Sequence, residues 1–93
     1  MNLIEPMKHR FVFDLLESYL IRLVEVYGRH ANDLGKIRAT ARKLQFGTLK
    51  ITNLKVTSKD KNKYIITFDS NKDRYKCIWD FAEQRCISRS VKR

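Results

Sequence analysis

Ninety-three residues, 43% of them hydrophobic and 11% aromatic, suffice for one compact core and fall below the size at which a second domain is expected. Twenty Lys and Arg against ten Asp and Glu leave a net charge of +10, an excess that speaks to partners rather than to fold. No run approaches the roughly 20 apolar residues of a membrane span, and Glu5 with Pro6 does not suit a secretory signal, so the expected setting is a reducing cytoplasm.

The first element expected is a helix over about residues 6–30, because Pro6 suits a first helical turn and no breaker follows before Gly28. Between Phe11 and Tyr27 its polar residues, Asp14, Glu17, Ser18, Arg22 and Glu25, fall in one stripe about 140° wide at 100° per residue. The remainder is apolar, more than a surface helix needs. Such a helix must be covered on two sides, by a second helix and a sheet or by the same face of another copy, and a homodimer through this helix is the expectation. The first 35 residues are nearly neutral, with four basic residues against five acidic ones.

Asn32 or Asp33 can cap a second helix over about 33–45, with Leu34, Ile37, Ala41 and Leu44 on its inner stripe and Gly47 ending it. Its other face carries Lys36, Arg38, Arg42 and Lys43, with the small residues Ala39 and Thr40 between them. This helix opens the densest charge block in the chain. From Lys36 to Ile65 nine basic residues stand against Asp60 alone, so +8 of the +10 lies in about a third of the length.

From Thr48 the apolar period becomes two and β-branched residues multiply, which predicts four antiparallel strands at about 48–58, 63–69, 74–80 and 85–91. The fold class expected is therefore α+β, two N-terminal helices followed by a four-stranded β-meander in a single domain, compatible with a winged-helix-like unit. Alternation puts Leu49, Ile51, Leu54, Val56, Tyr64, Ile66, Phe68, Tyr75, Cys77, Trp79 and Cys86 on the core face, with a bulge near Asn53. The opposite face then collects Lys50, Thr52, Lys55, Thr57, Lys63, Thr67, Arg74, Lys76, Arg85 and Arg89, with Ile65, Ile78 and Ile87 among them. In the last hairpin, Trp79 is expected near Cys86 and Ile78 near Ile87, with Gln84 where Gly would be easier.

No arrangement for catalysis is present: no glycine-rich phosphate loop, no HExxH, no Cys-x-x-Cys, no GxSxG. His9 and His30 are about 30 Å apart along one helix, and each reads as a surface residue. Cys77 and Cys86 read as reduced small hydrophobes, while Asp69, Asp73 and Asp80 read as caps of turns rather than metal ligands. The expectation is a non-enzyme with no cofactor and no metal.

The function expected is nucleic-acid binding, duplex DNA ahead of RNA, either through the basic sheet face or, slightly preferred, with Lys36, Arg38, Thr40, Arg42 and Lys43 of the helix entering a groove. Lys50, Lys55, Lys59, Lys61 and Lys63 of the hairpin would lie on phosphates. With Tyr64, Phe68, Tyr75 and Trp79 in the core phase, base stacking is not expected. The alternative is a small protein-binding module or inhibitor, of the kind carried by mobile elements or phages, that docks on an acidic partner surface. No membrane surface is expected as a partner, since the basic helix lacks a wide apolar face, and no small-molecule substrate is expected.

Overall fold

In the computed structural model, which describes residues 4–46 and 49–92, helix α1 runs from Ile4 to Tyr27. Gly28 breaks it at φ +58°, a left-handed conformation that glycine adopts without steric cost. A 3-10 turn over Gly28–Ala31 then leads to α2, Leu34–Ala41. The single second helix expected from the sequence is divided at Arg42, beyond which a one-turn α3 occupies Lys43–Phe46. The expected stop at Gly47 and strand start at Thr48 lie outside the described residues.

The strands are β1, Thr52–Asp60; β2, Lys63–Ser70; β3, Asp73–Asp80; and β4, Arg85–Lys92. They form one antiparallel sheet in the order β1-β2-β3-β4, so the fold is α+β with the helices preceding a meander. Tyr64, Ile66, Phe68, Tyr75, Cys77 and Trp79 are all buried on one sheet face, against Val12, Phe13, Leu16 and Leu20 of α1 and Ile37, Ala41 and Leu44 beyond it. Tyr75 stacks on Phe68 at 5.2 Å between ring centroids and meets Phe13 edge-on at 5.4 Å. Burying each of the large side chains contributes on the order of 2–3 kcal/mol, which makes this face the source of cohesion.

Asn53, at φ +55°, sits in the register shift between Thr52 and Lys55, the parity break that the apolar pattern requires. Gln84 likewise takes φ +55° in the last turn. In β4 the pairing differs from expectation. Trp79 pairs with Cys86, but Ile78 pairs with Ser88, because Ile87 is the extra residue of a bulge. Every position after it changes face, so Arg89 joins Cys77 on the helix side instead of the open face.

That shift creates the lock between helix and sheet. Arg89 reaches Asp14 at 3.1 Å and Glu17 at 3.5 Å, and Glu17 Oε2 accepts the Cys86 backbone N–H at 2.6 Å. A bulge leaves a backbone donor without its ladder partner, and here a carboxylate from α1 takes it. His9 is also no free surface residue: it is half-buried, 3.2 Å from the buried carboxylate of Asp73 and edge-on to Tyr75. His30 is exposed.

Two outcomes follow. Glu17→Ala strands the Cys86 N–H and leaves Arg89 with Asp14 alone, and is expected to cost about 2 kcal/mol in urea unfolding; a loss below a few tenths would remove this lock. Cys77 is held well above its ordinary 9.0 by its hydrogen bond with Cys86 and by burial, and Tyr75 and Tyr64 are raised above 10.0 chiefly by burial. Folding keeps these protons bound, so the stability they contribute is complete below pH 9 and declines as pH rises through the raised values. The urea midpoint should fall above pH 9, and less steeply in Cys77→Ala, which lacks one of the three groups.

Candidate nucleic-acid interface

Asp33 caps α2: its backbone is extended and its side chain accepts the Lys36 backbone N–H at 2.9 Å. Asn32 has a different task. Its Nδ2 donates to the Lys61 carbonyl at 3.2 Å and to Asn62 Oδ1 at 3.0 Å, and its Oδ1 accepts from the Tyr64 hydroxyl at 2.6 Å. The start of α2 is thereby pinned to the β1–β2 turn, and that hairpin is the first half of a continuous sheet.

From this pin α2 runs along the outer edge of β1, where Arg38 Nη2 donates to the Val56 carbonyl at 3.5 Å. Ile37, Thr40, Ala41 and Leu44 face inward and are buried, leaving Gly35, Arg38, Ala39, Arg42 and Lys43 exposed. Thr40, expected as a contact residue, is only 4% exposed and cannot touch a groove. It shares the helix's inner stripe with Ile37 and Ala41 and is buried with them.

On β1, Lys55, Thr57 and Lys59 are exposed, and Lys61 projects from the turn. Arg38, Arg42 and Lys43 on one side of the β1 edge and Lys55, Lys59 and Lys61 on the other therefore form a single cationic band. None of the six makes an ion pair among the described residues. Two further expected residues are partly spent: Lys63 lies 3.7 Å from Asp60, and Lys36 sits 5.6 Å above the Tyr27 ring. Lys50 is not in the band. It precedes β1 at the opposite end of the sheet from the Lys61 turn.

Lys50 is joined there by residues omitted from the expected contact set. The cross-strand row Thr52, Asp69, Arg74 and Lys92 spans all four strands, and Lys72 occupies the β2–β3 turn beside it. Lys76 lies one row in, between Thr67 and Ser90, level with Lys55. Alternation was sufficient to place Arg74 and Lys76 on this face. Lys72 and Lys92 give no such signal, because their segment carries a charge excess of only +3 and their proximity to Lys50 depends on strand order.

The carboxylates compensate Arg74 but not Lys50, Lys72 or Lys92, which make no ion pair among the described residues. Asp69 receives Arg74 Nε at 2.9 Å and Nη2 at 3.3 Å, and Asn53 Nδ2 at 2.7 Å. The Arg74 and Asn53 hydrogen bonds hold its pKa below the usual value, and the same pair raises that of Arg74. Asp80 Oδ1 accepts the Ala82 and Glu83 backbone N–H groups, and Asp60 Oδ1 accepts that of Asn62, as caps of turns do.

Among the described residues no group of three His, Cys, Asp or Glu could hold a metal ion, and no helix is long and apolar enough to cross a membrane. The aromatic rings of Tyr64, Phe68, Tyr75 and Trp79 are all buried and unable to stack on bases. The arrangement can attract and orient a polyanion by charge. No family model, curated protein or solved structure matches the chain.

Removing the cap tests how far the band depends on α2. Asp33→Ala is expected to lower stability by about 1 kcal/mol, with Asp33→Asn retaining most of it. Equal losses from both substitutions in thermal unfolding would show that the capping hydrogen bond contributes nothing.

Proposed function

We propose that this chain is a non-catalytic nucleic-acid-binding protein that holds duplex DNA against the β1 edge. The observation that carries the reading is the band of six cations without ion pairs among the described residues, assembled from α2 and its C-cap, the first turn of α3 and the β1–β2 hairpin. Neutralising several phosphates releases condensed counterions, so affinity should fall steeply with salt. The small exposed residues Gly35 and Ala39, on either side of Arg38 in α2, let a duplex backbone or groove wall approach closely. Two chains joined through α1 would present two bands, and the exposed Phe11 and Val26 on one side of that helix favour such a pair. A monomer throughout the micromolar range in sedimentation would remove the pair without touching the band.

Fluorescence anisotropy against labelled duplex DNA, single-stranded DNA and duplex RNA at two salt concentrations tests the reading. Duplex DNA should bind most tightly, and each lost phosphate contact should reduce the slope of log K against log salt by about 0.9. Arg38→Ala with Arg42→Ala should weaken binding roughly tenfold or more, whereas Arg89→Ala, already neutralised by Asp14 and Glu17, should change it little. Failure to bind any of the three at low salt would sink the proposal and leave an acidic protein surface as the ligand of the same cations.

A further inference from the structure

We propose a second anion site, distinct from the β1-edge band: the cleft between the start of β1 and the β2–β3 turn binds a phosphate-bearing anion. The cleft is open, about 700 Å³ in volume, and its lining includes Lys50, Thr52, Asn71, Lys72, Arg74 and Lys92 together with the carboxylates of Asp69 and Asp73. Three of its lysines come from distant stretches of chain, one before β1, one in the β2–β3 turn and one near the end of β4. None of the three has an ion-pair partner among the described residues.

The two carboxylates nearby do not cancel them. Asp69 is satisfied by Arg74 and Asn53. Asp73 is buried and engaged with His9 on the helix side. The rim is also held in shape, because Ser70 Oγ donates to the Lys50 carbonyl at 3.0 Å and so ties the strand entering β1 to the end of β2. Positive charge thus converges on a fixed hollow.

Lys72 supplies an independent argument. Ser70 pairs with Asp73, so Asn71 and Lys72 form a two-residue turn with φ +53° and +71°. In such a turn asparagine followed by glycine is the unstrained choice, since both central residues take positive φ. This chain places a lysine where glycine would fold more easily. Strain retained at the mouth of a cleft is accounted for when the side chain, rather than the backbone, is what the position supplies. Beside the two engaged carboxylates and the Arg74 guanidinium, the lining offers ammonium groups, hydroxyls and an amide but no aromatic platform, which suits a compact, multiply charged phosphate. A free polyphosphate and the terminal phosphate of a nucleic-acid strand share that chemistry.

The test uses the full chain labelled with ¹⁵N, titrated at low salt with inorganic tripolyphosphate. A parallel arm uses one oligonucleotide with and without a 5′-phosphate. Backbone amide shifts should centre on Lys50, Asn71, Lys72 and Lys92. Lys72→Gly and Lys92→Gln should each weaken tripolyphosphate binding roughly fivefold, the loss expected for one exposed charge contact. Lys72→Gly should at the same time raise Tm by relieving the turn, so its weaker binding cannot come from damage to the fold. Arg38→Ala with Arg42→Ala should leave tripolyphosphate affinity unchanged, which separates this site from the duplex-binding band. A preference for the 5′-phosphorylated strand that Lys72→Gly abolishes assigns the phosphate to nucleic acid; equal binding of both strands assigns it to a free polyphosphate. Shifts centred on the β1 edge, or unaltered affinity in both lysine variants, would overturn the proposal whatever happens with duplex DNA.

Discussion

The structure depends on the burial of one face of a four-stranded sheet beneath α1 and α2. Tyr64, Phe68, Tyr75 and Trp79 are large, buried and on the same side. Among the described residues the helices cover that one side, and the polar positions of the other are filled largely by Lys, Arg and Thr. Ile65 and Ile78, paired across β2 and β3, remain half-buried among them, with their neighbours' aliphatic stems as partial cover.

Helix α1 is held on the sheet by two kinds of force. Apolar burial is non-directional and would permit the helix to slide. The Glu17 contact with the Cys86 N–H and the Asp14 and Glu17 contacts with Arg89 are directional, and they engage the β4 bulge. At the other end His9 meets Asp73. The acidic residues of the neutral first third are thereby partly consumed in docking, and they withdraw Arg89 from the cationic surface.

What remains of the charge is divided spatially. Arg74 and Lys63 are matched to acids on their own face, and Arg85 lies near Glu83. Among the described residues, six cations without ion pairs flank the β1 edge, where α2 lies alongside the hairpin, and three more line the cleft at the opposite end of the sheet. A polyanion on the first and a compact phosphate on the second are compatible with a single molecule, because Lys55 and Lys76 share the row of the open face between them.

Period and composition were enough to determine the order of elements, the core face of β1, β2 and β3, the Asn53 bulge and the buried place of Tyr64, Phe68, Tyr75 and Trp79. These are local properties: a period of two can bury only one set of side chains, and a change of parity requires an extra residue. The sequence also located Lys36–Lys63 as the charge block, since counting needs no coordinates. Tertiary structure alone decided the rest. The Ile87 bulge moved Arg89 to the helix side, where acids from a helix some 70 positions earlier neutralise it. The rotation of α2 on its inner stripe buried Thr40. Strand order brought Lys50, Lys72 and Lys92 together. Side-chain period states which face a residue occupies, but not which distant residues share it, and an electrostatic site is defined by that sharing.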